Sequence, residues 1–121
     1  MEIEVAGVKY ALYTGEVHAI ELDLRYGTPA TSTAFVQLNV RKRIASGAYE
    51  SCRLNLTFGG VTKAVVQEEF IGGTSYASIV LNKRPDNSYY FAIGTIGDTH
   101  NPAYDYDNLV LVAQNLTLHE E

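Results

Sequence analysis

The side chains with the widest chemical repertoire are concentrated in one stretch, Gly97 to Asn108, which carries Asp98, His100, Tyr104, Asp105, Tyr106 and Asp107. Carboxylates beside an imidazole are the donor types that hold a hard or borderline metal ion. Their spacing follows no calcium-loop or zinc pattern, and Asp, Asn, His and Gly are also ordinary turn residues, so no metal and no cofactor is expected. The tyrosines suggest a different use. Tyr104 and Tyr106, with Tyr89 and Tyr90 upstream, each offer a broad apolar face and a hydroxyl at low entropic cost, which suits binding surfaces. A loop of twelve residues, 97–108, is near the length at which unpatterned loops are commonly functional. The expectation is a binding surface built from Asp98, His100, Tyr104, Asp105, Tyr106 and Asp107, flanked by Tyr89 and Tyr90; the plainer alternative is a long solvated connection.

Elsewhere the chemistry thins out. Nucleophilic catalysis needs a nucleophile, a base and a group that orients the base. Cys52 falls on an inferred core face, where a thiol is usually inert, and there is no G-x-S-x-G elbow. No P-loop or dinucleotide fingerprint offers a cradle for phosphate. The paired carboxylates Glu68-Glu69 and Glu120-Glu121 are adjacent in sequence, so on a strand they point apart, and at the chain end they fray. His18 shares a strand face with Ile20, and His119 belongs to a charged tail. No enzyme is expected. Arg41-Lys42-Arg43 is the one basic cluster, a solvated strand end or a contact for an acidic partner. Asn55-Leu56-Thr57 and Asn115-Leu116-Thr117 match the glycosylation acceptor pattern, a coincidence in a chain with no secretory signal.

The elements that must position these residues are strands. Cys52, Leu54, Leu56 and Phe58 alternate with Arg53, Asn55 and Thr57, the period-2 mark of a strand with one face on a core and the other in water. Gly59-Gly60 then reads as a turn into a second run, Val61 to Phe70, with a helix over Thr62 to Phe70 as the local alternative. Upstream, Ile3 to Tyr13 reads as a short strand, a turn at Gly7 and the start of another strand. His18, Ile20, Leu22, Leu24 and Tyr26 share one face of the next, which Gly27-Thr28-Pro29 ends. Ala34, Val36, Leu38 and Val40 face inward on a strand ending at Arg41-Lys42-Arg43, and Gly47 supplies a connection. Strands follow at Tyr76 to Leu81, at Tyr89 to Ile96 after the turn Pro85-Asp86-Asn87-Ser88, and at Leu109 to Leu118. About eight short strands without helical periodicity predict an all-β single domain over 1–121, an antiparallel sandwich or barrel.

Composition narrows the class further. Nine Lys and Arg against fourteen Asp and Glu give a net charge of −5, which argues against a nucleic-acid partner. One cysteine makes no internal disulfide, so no oxidising compartment is demanded. Met1-Glu2-Ile3-Glu4-Val5 lacks the basic and apolar regions of a signal peptide. No apolar run approaches the roughly 20 residues that span a bilayer. The expectation is a cytoplasmic protein with no membrane contact.

Two stretches carry a resemblance. Val17-His18-Ala19-Ile20-Glu21-Leu22-Asp23, and Arg53-Leu54-Asn55-Leu56-Thr57-Phe58-Gly59-Gly60-Val61 leading to Phe70, resemble small bacterial β proteins that include predicted immunity proteins of polymorphic toxin systems. Leu109 to Leu118 is similar to their closing strand, so the likeness runs over about residues 17–118, with gaps. Those proteins often have His-Asp just before the first strand where this chain has Thr14-Gly15-Glu16, and no functional residue is carried across. The resemblance implies a bacterial protein that binds another protein, an immunity protein covering a toxin's active site. The alternatives are a small-molecule or carbohydrate-binding β-sandwich that stacks ligands on the tyrosines, and a self-assembling structural domain.

Overall fold

A computed structural model describes residues 2–5, 7–66, 78–94 and 109–121 of the chain. The alternating stretches form strands: β1 (Glu2–Val5), β2 (Val8–Asp23), β3 (Thr33–Arg43), β4 (Tyr49–Val66), β5 (Ser78–Lys83), β6 (Tyr89–Gly94) and β7 (Leu109–Glu120). They belong to one antiparallel sheet in the order β1-β2-β3-β4-β7-β6-β5. The sheet curls until β5 meets β2, so it is nearly closed into a barrel, and the sandwich alternative falls away. Gly15 marks that approach. A Cβ there would lie 2.8 Å from the Leu12 carbonyl oxygen and 3.0 Å from Ile79 of β5, so only glycine lets the two strands come so near.

The interior is filled by the inward rungs of the ladder. Ala34, Val36, Leu38 and Val40 of β3 pair with Phe58, Leu56, Leu54 and Cys52 of β4, and all but Cys52 are buried. Leu12, Ile79, Phe91, Ile93, Leu109 and Leu111 complete the core, with the Phe58 and Phe91 rings tilted at 48° and 5.5 Å apart. A second cluster, Tyr90, Ala92, Val110 and Val112 with Val65 against it, occupies the other face of β6 and β7. Burial on both faces explains why Leu109 to Ala113 is a continuous apolar run rather than an alternation.

Three expectations change. Gly59-Gly60 is no hairpin turn, since β4 runs unbroken through it from Tyr49 to Val66. Gly60 adopts φ +62°, and a Cβ there would press to 2.9 Å from Gln114 Oε1. With the bulge between Val61 and Lys63, the glycine bends the strand so that it leaves β3 and continues along β7. Likewise β2 is one strand of sixteen residues with irregularities at Ala11/Glu16 and Val17/Ala19. The second irregularity turns His18 out of the row of Val17 and Ile20 onto the outer face, where its Nδ1 lies 3.5 Å from Arg53. Glu120 is not frayed: it is the last residue of β7 and faces inward, paired with Leu54.

Candidate functional site

Asp98, His100, Tyr104, Asp105, Tyr106 and Asp107 lie outside the described residues. Tyr89 and Tyr90 are described. They begin β6, whose far end at Gly94 is roughly 17 Å away along the strand, and they adjoin the turn Arg84 to Ser88. That turn is held by Arg84 N–H donating to Ser88 O at 2.7 Å and Ser88 N–H donating to Asp86 Oδ1 at 3.0 Å. Tyr90 is only 3% exposed within the second apolar cluster, so it presents no ring to a partner. Tyr89 is half-buried, with Lys83 Nζ 5.8 Å from its ring centre. Among the described residues no three His, Cys, Asp or Glu side chains converge as a metal would require. Cys52 faces the interior, whereas the two described histidines, His18 and His119, lie on the outer face.

What the structure does bring together lies at the two ends of the barrel. At one end, the inward residues of β2, β3 and β7 are polar. Tyr10 donates its hydroxyl hydrogen to Glu120 Oε1 at 2.8 Å, and Lys42 Nζ donates to Glu120 Oε2 at 2.7 Å with Glu50 at 3.7 Å. Burial first, then the bond to Glu120, pushes the Tyr10 hydroxyl up to about 12. The Lys42 ammonium, aided by Tyr10, holds the Glu120 carboxyl below its ordinary range. Burial, and then the Glu120 charge, raises the Cys52 thiol. Every charge in this group has a partner, and the group sits where the core gives way to solvent.

At the opposite end the described residues bound a cleft. Beyond Asp23 the chain leaves the sheet and passes over the barrel rim. Ser32, buried, ties it down: its Oγ accepts from Arg25 N–H at 2.7 Å, and its carbonyl accepts from Val61 N–H at 3.1 Å. Arg25 is clamped bidentately to Asp23 at 2.7 and 3.1 Å, and Thr31 closes the short 3-10 turn Pro29–Thr31 onto Thr28. Between this segment and the bulge in β4 lies a cleft of about 400 Å³, lined by Leu24, Arg25, Tyr26, Val61, Lys63 and Ala64 among others. Leu22 and Leu24 are 38% and 40% exposed, and Tyr26 is 97% exposed. Tyr26 is thus left almost wholly in water on a segment that these hydrogen bonds fix.

In sequence Tyr26 ends an alternating row and shares the face of Ile20, so it reads as part of an apolar face. The signal was the breaker Gly27-Thr28-Pro29 directly after it, which forces the last aromatic off the sheet. Among the described residues no helix is long and apolar enough to cross a membrane. Comparison with models of protein families, with curated proteins and with solved structures returned no match.

Proposed function

We propose that this chain is a cytoplasmic bacterial protein-binding domain without enzymatic activity, and that the cleft beside Leu24 and Tyr26 is its contact surface. The observation that supports this reading is Tyr26, 97% exposed beside Leu24 and the cleft. Tyrosines and arginines in well-fixed positions supply most of the energy of protein interfaces, and here Arg25 and Lys63 rim an apolar floor of Val61 and Ala64. The narrower form of the proposal is an immunity protein, which needs only a surface that covers a toxin's active site. A net charge of −5 suits a toxin whose own site is basic because it handles nucleic acid.

The test uses the polypeptide encoded beside this one, titrated calorimetrically with the wild type and with Tyr26→Ala. Binding by the wild type, weakened by at least about tenfold in the variant, is the expected result. A cleft of about 400 Å³ also falls within the size range of small-molecule pockets, which favours a second reading in which a sugar ring stacks on Tyr26. No binding of the neighbouring polypeptide, with Tyr26-dependent binding of a panel of oligosaccharides, would transfer the proposal to that reading. Binding of neither would end both.

A further inference from the structure

We infer that the outer face of the β3–β4 hairpin, at the end of the barrel away from the cleft, docks a short acidic segment of another polypeptide. The ladder dictates the grouping. On β3 the residues alternate, so Val40 and Lys42 face inward while Arg41 and Arg43 face outward. Opposite them on β4, Arg43 pairs with Tyr49, Arg41 with Ser51 and Asn39 with Arg53. Tyr10 of β2 pairs with Lys42, so the outward Lys9 belongs to the same patch. Four of the nine Lys and Arg in a chain of net charge −5 thereby share one small face. It measures roughly 13 Å along the strands and 10 Å across them.

The patch is shaped as well as charged. Arg41 is stacked 5.8 Å from the ring centre of Tyr49, itself 42% exposed, which fixes the guanidinium plane. Arg53 is held by Asn39 Oδ1 at 3.1 Å and has Glu121 at 3.7 Å, with His18 beside it. A depression of about 240 Å³ between Arg41, Asn39, Ser51 and Glu16 lies at the centre. Among the described acids, Glu4 lies across from Lys9, Glu16 lines the depression itself, and Glu121 stands by Arg53. Lys9 and Arg43 enter no ion pair among the described residues.

Guanidinium forks match carboxylates two bonds at a time, and about four extended residues span the patch. A nucleic acid fits less well. Its binders neutralise on the order of 6–10 phosphates, and beyond this patch the chain has five Lys and Arg against fourteen Asp and Glu. A long polyanion would run off the patch onto surface of its own sign. This docking face is separate from the cleft and does not depend on what the cleft holds.

The experiment titrates the full chain with a fluorescent peptide of about eight alternating Asp and Glu residues, long enough to overhang the patch, and in parallel with a single-stranded oligonucleotide of matching charge. Anisotropy gives the affinity, and amide spectra locate the contact. The expected result is peptide binding that moves the amides of Asn39 to Arg53 and weakens at least about tenfold in Arg43→Glu. Lys83→Glu, a reversal of the same size in β5, leaves that affinity unchanged. The binding weakens as salt is raised to about 0.15 M. No peptide binding at low salt, or amide shifts confined to other strands, overturns the proposal. Tighter binding of the oligonucleotide than of the peptide at the same amides overturns the choice of partner. Because the neighbouring polypeptide takes no part, failure here leaves the cleft proposal standing.

Discussion

The two ends of the barrel solve opposite problems with the same strands. At the Tyr10 end, Tyr10, Lys42, Glu50 and Glu120 face inward, where the core gives way to solvent, and satisfy one another. At the Leu24 end the chain is fixed just as firmly, through Ser32 and the Asp23–Arg25 clamp, yet it holds Tyr26 out in water. The difference teaches that fixed geometry does not by itself mark a stability element. At one end the hydrogen bonds end on the polar side chains that need them; at the other they anchor a backbone whose apolar side chains stay exposed. The first pattern stabilises the fold. The second suits the contact surface proposed above, because a fixed backbone loses little freedom on binding.

The widest test of that comparison removes the core that both ends share. Leu56 is fully buried and pairs with Val36 and Leu118. Leu56→Ala is expected to lower stability by about 2–5 kcal/mol from lost transfer energy and the cavity left behind. A chemical-denaturation loss below about 1 kcal/mol would show that β4 is not the shared support. Next comes the Tyr10 end, through pH. The Tyr10 hydroxyl titrates at about 12 in the folded protein against 10 when unperturbed. Its neutral form is the one favoured by folding, so its contribution is fully present below pH 10 and is lost as pH rises towards about 12. That displacement corresponds to roughly 2–3 kcal/mol. Glu120, held low by Lys42 and Tyr10, contributes in the other direction: present above the ordinary carboxyl range and lost as pH falls through its depressed value. Denaturation midpoints from neutral to alkaline pH should drop more steeply for the wild type than for Tyr10→Phe. Parallel curves would show that the Tyr10 hydroxyl, held up by burial and by its bond to Glu120, does not shape alkaline stability.

Legibility in the sequence followed how local each cause was. Alternation on β3 and in Cys52 to Phe58 was readable because each residue's face depends only on its neighbours, and the turn Pro85 to Ser88 was readable because Asp86 bonds two residues ahead. Gly59-Gly60 was misread because the same glycine pair serves a turn or a bend. The decision rests with Gln114 and the continuing β7 ladder, more than fifty residues away. The Tyr10–Glu120 bond joins residues 110 positions apart, and no local pattern announces it. Tyr90 was taken for a surface residue because tyrosine suits both faces of a sheet; a second apolar cluster on the outside of β6 and β7 decides otherwise.

At the Leu24 end the reverse of the effects above is expected. Tyr26 is exposed and touches little, so Tyr26→Ala should change stability by no more than about 0.5 kcal/mol, while weakening any partner that uses the cleft by at least about tenfold. A stability loss comparable to that of Leu56→Ala would mean that Tyr26 is a packing residue after all. It would dissolve the distinction between the two ends.

The smallest expected effect is the finest probe of the Tyr10 end. Cys52 faces inward there, half-buried between Val40 and the Tyr10–Glu120–Lys42 group. Burial and then the Glu120 charge raise its thiol, with Lys42 acting the other way. Only the thiolate reacts, so labelling of the native protein by a thiol reagent near neutral pH should be slower than labelling of the denatured chain. Glu120→Gln removes one of three raising causes, leaving burial and the weaker Glu50 charge against the lowering effect of Lys42. Labelling should then quicken, by less than about tenfold, because a shift of one pKa unit changes the thiolate fraction tenfold. Acceleration far beyond that would mean that the substitution opened this end of the barrel rather than changed its charge. An unchanged rate would mean that Cys52 lies outside the field of Glu120, and that the Tyr10 end is less tightly gathered than the bonds to Tyr10 and Lys42 indicate.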